Sequence, residues 1–238
     1  MHRPYSTLET DPVLLRLTHP SRTGTRPSPL PPRMPGSLRR SLFIKRISEC
    51  LLAIAMLVVS VPIVAFCAFL IRLTSRGPAF YSQERVGQFG HVFTIYKLRT
   101  MFFECERLTG PRWSTPGDPR ITPVGRVLRA LHIDELPQLI NVVRGQMSLI
   151  GPRPERPEIA VQLGRSIEEY DVRSAVLPGI SGHAQVHLRP DTSVEDVRDK
   201  VQLDREYLAR MSFWFDILTY VRTGMKILGL YRRVRDGR

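Results

Sequence analysis

Asp134 and Glu135 are adjacent carboxylates at the head of an apolar helical pattern, IDELPQLINVVRG, with arginines on both sides of them in the chain. Arg126 and Arg129 stand one to two helical turns upstream, and Gly151-Pro152-Arg153-Pro154 follows downstream. Proline is tolerated in the first turn of a helix, so Pro137 predicts that the two acids sit at the helix N-terminus, with Asp134 as the N-cap. An acid in that place is ordinary capping chemistry, stabilising by about 1 kcal/mol. The arginines add a second meaning. Prolines on either side of Arg153 keep its segment out of a helix and stiffen it. A guanidinium held in advance suits bidentate phosphate binding, because little freedom is lost on contact. Carboxylates together with substrate phosphates are the usual ligands of Mg²⁺, so Asp134 and Glu135 fit metal-assisted phosphoryl transfer on a phosphoanhydride.

The elements that must position these residues begin with a membrane segment. Cys50 to Ile71 is a run of 22 residues without a formal charge; as a helix it would rise about 33 Å, against a bilayer core of roughly 30 Å. It starts too deep in the chain, and is too long, for a cleaved signal peptide. Pro62 falls near its middle, where it removes a backbone hydrogen bond and breaks or bends the helix, and Ser60 is positioned to satisfy a freed carbonyl. Both flanks are basic, with Arg39, Arg40, Lys45 and Arg46 before the run and Arg72, Arg76 and Arg85 after it. Positive residues favour the cytoplasmic face. A straight span would export one basic flank, whereas a helix broken at Pro62 returns to its own side, so the pattern favours a re-entrant helix.

After Gly77, GPAFYSQERVG and HVFTIYKLRTMFF predict a small β-hairpin around Gly87 and Gly90. Residues 104 to 125 are turn-rich, Arg126 to Ala130 read as helical, and Leu136, Leu139, Ile140 and Val143 mark one face of a helix that Gly145 stops. LPGISGHAQVHLRPD reads as a loop and residues 193 to 210 as an exposed, charged helix. From Trp214 to Arg235, apolar and aromatic residues alternate with Arg222, Lys226, Arg232 and Arg233. That pattern suits either an interfacial amphipathic helix or packing on the chain's own core. The fold class expected is α+β and mainly helical, with a proline-broken re-entrant membrane helix, a small β-hairpin and interfacial amphipathic helices. Three regions follow: a Pro/Arg-rich tail at 1–37 that is too polar to fold, the membrane helix region at 38–76, and a membrane-associated catalytic domain at 77–238.

Of the 238 residues, 35 are Lys or Arg and 22 are Asp or Glu, for a formal charge of +13. Such an excess directs the chain toward nucleic acid, an acidic membrane or phosphorylated substrates. Much of it lies in the first 46 residues and near the C-terminus, beside apolar segments, where an anionic lipid bilayer is the natural partner. The basic residues form neither a recognition helix nor an aromatic RNA-binding sheet, so nucleic acid is not expected. Three scattered cysteines make neither a disulfide framework nor a Cys-based zinc site. A membrane-tethered basic binding or scaffold protein without catalysis is the alternative, and it would be indifferent to loss of Asp134.

From about Lys45 to Gly229 the chain resembles the bacterial sugar transferases, the small monotopic phosphoglycosyl transferases that prime lipid-linked glycan assembly. The resemblance is carried by the membrane helix with its proline, GPAFYSQERVG, FTIYKLRTM, DPRITPVGRVLR, IDELPQLINVVRGQMSLIGPRPE, LPGISGHAQVH and DREYLARMSFWFDI, in that order. It implies transfer of a sugar 1-phosphate from a UDP-sugar to a polyprenyl (undecaprenyl) phosphate, with release of UMP. The setting would be exopolysaccharide, O-antigen or capsule synthesis at the cytoplasmic face of a bacterial inner membrane. It further implies that Asp134 is the nucleophile that forms a phosphosugar-aspartate, that Glu135 assists the lipid phosphate or holds Mg²⁺, and that Arg129, Arg153, Lys97 and Arg99 contact phosphate. A homodimer is compatible with it. Many relatives break the membrane helix with Ser-Pro, where this chain has Val61-Pro62 and Ser60 one residue earlier; His132 stands where they often carry a small hydroxyl residue.

Overall fold

The computed structural model describes residues 36–107, 110, 114–115, 117–189, 191 and 193–230, with side chains from residue 42 onward. The tail expected over 1–37 lies almost wholly outside the described residues, as do Arg232 and Arg233. The first element, α1, runs Gly36–Thr74, and its segment Leu42–Thr74 is long and apolar enough to cross a membrane. It continues through Pro62 as one helix, so the proline removes a hydrogen bond without separating two helices. Ser60 Oγ donates to the Leu57 carbonyl at 3.0 Å, not to the Val58 carbonyl that Pro62, lacking an N–H, leaves without its i→i−4 donor.

Along α1 a stripe of Glu49, Ala53, Ser60, Cys67 and Ile71 is buried, at the three- and four-residue spacings of one helix face. The remaining faces are apolar and exposed, including Val58, Val59, Phe66 and Phe69. Its first half packs through Ala53 and Leu57 on Ile95, Leu136, Leu139, Val142 and Met147. Its second half packs through Cys67 and Ile71 on Ala79, Leu98, Leu128 and Ile133. One domain therefore covers both halves of the apolar helix.

The expected hairpin is present: β1 (Phe80–Val86) and β2 (Val92–Leu98) are antiparallel, in register from Phe80 opposite Leu98 to Val86 opposite Val92. Next comes α2 (Pro123–Ala130), with Thr122 as N-cap accepting from the Gly125 N–H at 2.9 Å and Pro123 in the first turn. Gly125 has to be glycine, since a Cβ there would overlap the Thr100 carbonyl. This close approach presses α2 onto the chain leaving β2.

The two adjacent acids do not start an α-helix. Ile133–Gln138 is a 3-10 turn entered through His132 in the left-handed region (φ 55°), and α3 begins only at Leu139, running to Val143. Asp134 is thus inside the first turn and His132 precedes it as the cap residue. Pro137 explains the geometry, because it has no N–H for an i→i−4 bond and its ring crowds the Ile133 carbonyl. The tighter winding also shifts the helix phase: Leu139 and Val142 are buried while Val143 is exposed, which replaces the expected 136/139/140/143 face. Gly145 (φ 71°) ends α3 as expected.

β3 (Ser148–Ile150) pairs in parallel with β4 (Gly179–Ser181), with α4 (Pro157–Ser166) and a 3-10 turn (Tyr170–Ala175) between them. LPGISGHAQVH is therefore not a loop: it supplies β4 and the short α5 (His183–His187). α6 (Val194–Arg210) opens with a Ser193/Asp196 capping box. It is charged but not wholly exposed, since Val197, Lys200, Val201, Asp204 and Tyr207 are buried. Lys200 pairs with Asp191, and Asp204 with Arg173 at 2.9 Å, so ion pairs let charges occupy the inner face. In α7 (Phe213–Ile227) Asp216 and Thr219 face inward, while Trp214, Leu218, Val221 and Met225 are exposed. This is the reverse of a helix that buries its apolar face against its own core.

Candidate active site

Lys97, Glu135 and Arg153 come together from three elements. Ile95 of β2 packs against α3, and Lys97, two residues on and so on the same strand face, donates to Glu135 Oε1 at 2.7 Å. The Arg153 guanidinium donates to the same oxygen and, at 3.3 Å, to Oε2. Arg153 is held by its loop as well as by its partner. Its carbonyl accepts from Arg173 Nη2 at 2.9 Å, and Gly151 packs against Leu177 and Gly179 so closely that a Cβ would clash. Arg173 is in turn paired with Asp204.

Asp134 is also buried, yet among the described residues its carboxylate takes no hydrogen bond. The two acids differ in electrostatics accordingly. Burial first, then the neighbouring Glu135 charge, raise the Asp134 carboxyl above its ordinary value of 3.8; Lys97, Arg129 and Arg153 oppose them. Burial would raise Glu135 too, but the charges and hydrogen bonds of Arg153 and Lys97 overturn it and hold that carboxyl well below the usual range. Lys97 is lowered by burial, with Glu135 opposing, and Arg153 is raised, chiefly by Glu135. Glu135 is a fixed anion, while Asp134 is an uncommitted one.

Arg129 is close enough to act on Asp134 electrostatically, but hydroxyls hold it: its Nε donates to Thr100 Oγ1 at 2.8 Å and Nη1 to Ser114 Oγ at 3.1 Å. Neutral partners leave its charge available to an incoming phosphate. Arg99 is not brought into the cluster. Its guanidinium donates to the Arg76 carbonyl and, at 3.0 and 2.8 Å, to the carbonyl and hydroxyl of Ser75, closing the C-terminal end of α1. We expect Arg99→Met to lower stability by about 2 kcal/mol in a denaturation experiment while leaving the KM for donor unchanged. A raised KM would return Arg99 to the site.

Three supports have little local signal. Thr100 and Ser114 orient Arg129, and Arg173 braces the Arg153 loop from 20 residues away. Thr100 falls within the basic YKLRT stretch and could have been noticed there; Arg173 sits in a polar turn with nothing to mark it.

The profile of the family described as Bacterial sugar transferase matches residues 40–229. The chain belongs to that family. Relatives include the UDP-N-acetylgalactosamine-undecaprenyl-phosphate N-acetylgalactosaminephosphotransferase of Aeromonas hydrophila, 42% identical over 186 residues, which are 78% of this chain and 44% of that protein. The undecaprenyl-phosphate glucose phosphotransferase of Komagataeibacter xylinus is 39% identical over 178 residues, 73% of this chain and 34% of that one. The UDP-glucose:undecaprenyl-phosphate glucose-1-phosphate transferase of Caulobacter vibrioides is 42% identical over 188 residues, 77% and 69%. This sugar transferase chain thus covers less than half of the first two relatives. Its Asp134, Glu135, Lys97, Arg129 and Arg153 all lie within the matched region.

Proposed function

We propose that this sugar transferase moves a sugar 1-phosphate from a UDP-sugar to a polyprenyl phosphate, releasing UMP. The observation that carries the reading is the contrast within the acid pair: an unbonded, buried Asp134 beside a Glu135 fixed by Lys97 and Arg153. A carboxylate with no hydrogen bond to break is free to act as nucleophile, and covalent catalysis divides one difficult displacement into two. In the first step an Asp134 oxygen bonds to the sugar-bearing phosphorus, the phosphoanhydride bond breaks, and UMP leaves with the electron pair. In the second, an oxygen of the lipid phosphate bonds to that phosphorus and the carboxylate is restored, leaving a polyprenyl diphospho-sugar. Arg129 and Arg153, beside the acid pair, would meet the charge that builds on phosphate oxygens.

Among the described residues no three His, Cys, Asp or Glu side chains converge. Mg²⁺ would be held by Asp134 and Glu135 together with substrate phosphates, since carboxylates and phosphate oxygens are the usual donors for this ion. When bound it would neutralise diphosphate charge. Membranes given radiolabelled UDP-sugars, polyprenyl phosphate and Mg²⁺ should release UMP and label the lipid. Failure across glucose, galactose and N-acetylhexosamine donors would refute the assignment.

The same reading places both ends of α1 on one side of the bilayer. The catalytic turn packs on both halves of the apolar helix, through Leu136 against the first and Ile133 against the second. A straight span would carry ionised Glu135, Lys97 and Arg153 to mid-bilayer depth, where uncompensated polar groups are costly. The exposed apolar faces of α1 and α7 lie in the membrane instead, with the domain at its cytoplasmic surface. Single cysteines at Leu38 and Phe80, in a chain whose Cys50, Cys67 and Cys105 are replaced, should both label from the cytoplasmic side. Labelling from opposite sides would show a span.

A further inference from the structure

A second feature lies at the start of α1, apart from the acid pair. A cleft of about 210 Å³ is walled by Leu42 and Phe43 of α1, Val142 of α3 and Met147 after it, and Val176 and Leu177 before β4. None of Lys97, Arg129, Asp134, Glu135 or Arg153 lines it. The cleft is open to solvent and its lining is mainly apolar, which suits an apolar chain with a polar end.

Its polar lining divides in the same way as the acid pair. Lys45 is consumed: its Nζ contacts Glu49 at 2.8 Å and Asp216 at 2.6 Å. Glu49 also accepts from Ser148 at 2.6 Å and Tyr220 at 3.2 Å, and Asp216 from Tyr207 at 2.9 Å. Arg46, by contrast, forms no hydrogen bond or ion pair among the described residues. Its guanidinium rests against Gly145, in the space that a side chain at that position would occupy. Around the cleft Phe43, Ile44 and Ile47 are exposed, and in the chain Arg39 and Arg40 precede them by one to two turns.

We propose that this cleft binds a bilayer phospholipid with an anionic headgroup, one acyl chain lying in the slot and the phosphate on Arg46. The charge argues for the headgroup, because Arg46 is an uncommitted guanidinium at the rim of an apolar slot, and a phosphate meets it with charge-assisted hydrogen bonds. Position argues for a bilayer lipid. These residues occupy the last two turns before the 22 uncharged positions of α1, which is headgroup depth when that run lies in hydrocarbon. A bound lipid would tie α1 to β3 and α3, steadying the domain on the membrane while leaving the reacting groups untouched. The proposal rests on α1 being membrane-embedded, and carbonate-resistant membrane retention checks that separately.

The test uses the full chain in nanodiscs of equal phosphatidylcholine, phosphatidylglycerol and undecaprenyl phosphate, followed by detergent transfer and native mass spectrometry of the lipid retained. The wild type should keep phosphatidylglycerol over phosphatidylcholine by about tenfold, because the choline ammonium offsets the phosphate charge that Arg46 meets and the neutral glycerol does not. Arg46→Glu should abolish that preference, and Ala175→Phe, at a residue that also lines the cleft and whose new ring fills the slot, should retain neither lipid. Both variants should still release UMP and stay in the membrane, which shows that they fold. Retention of phosphatidylglycerol by Arg46→Glu at the wild-type level, equal retention of phosphatidylcholine by the wild type, or undecaprenyl phosphate as the retained lipid would each overturn the proposal.

Discussion

Replacing Asp134 by Asn is expected to lower UMP release by about 10⁴-fold or more, the scale on which removal of a nucleophile acts. The exchange preserves shape, and because the Asp134 carboxylate accepts no hydrogen bond among the described residues, it should leave the melting temperature nearly unchanged. The wild-type chain, given labelled UDP-sugar without lipid, should release one equivalent of UMP and hold the label covalently. Asp134→Asn should do neither, and full activity in that variant would remove the nucleophile assignment. The pH dependence adds a signed test. Burial and the adjacent Glu135 disfavour the Asp134 anion, so the acid limb of kcat/KM should lie above the ordinary aspartate range. Removing the Glu135 charge should move that limb to lower pH, because Lys97, Arg129 and Arg153 then act on Asp134 without their nearest competitor.

Glu135→Gln should produce the second large effect, this time on stability as well as rate. Glu135 is buried and binds two cations. Losing its charge strands Lys97 and Arg153, and breaking a buried pair from one side costs about 3 kcal/mol or more. Activity should fall by about 10²-fold as Arg153 loses its orientation. The sign of the pH effect follows from the depressed Glu135 carboxyl. Its contribution is fully present above the unfolded carboxylate pKa and is lost as pH falls through the lower folded value. The wild type should therefore lose stability on acidification below about pH 4.5 more steeply than Glu135→Gln. Denaturant titrations of both proteins at several pH values would measure the difference, and parallel curves would contradict the clamp.

Much of the site was legible because its signals are local. The adjacent acids, the arginine between two prolines and the apolar run each declare their chemistry over a few residues. The misreadings come from places where local pattern and local geometry part. Pro137 reads as a first-turn residue of an α-helix, but it lies fifth in a 3-10 turn, and the altered winding exposes Val143 and buries Val142. The charges of α6 read as solvent-facing, yet Lys200 and Asp204 are buried because Asp191 and Arg173 neutralise them. No pattern within a single helix contains that information. The two basic residues of YKLRT looked alike and separate in the fold, Lys97 to Glu135 and Arg99 to the end of α1.

The sequence by itself determined that this chain pairs an apolar helix with a carboxylate and arginine site, and which residues compose most of it. Residue type and short-range spacing carry that information, since charge and hydrophobicity are properties of the side chains. Only the tertiary structure decided which carboxylate is fixed and which is left free. That choice depends on where Lys97, from a strand 38 residues away, and Arg153, from a loop braced by Arg173, meet Glu135. It also decided that one domain packs along both halves of α1. An apolar run of 22 residues is equally suited to crossing a bilayer or lying in one face of it. The charged site packed against its middle supports the second, since a straight span would carry that site to mid-bilayer depth.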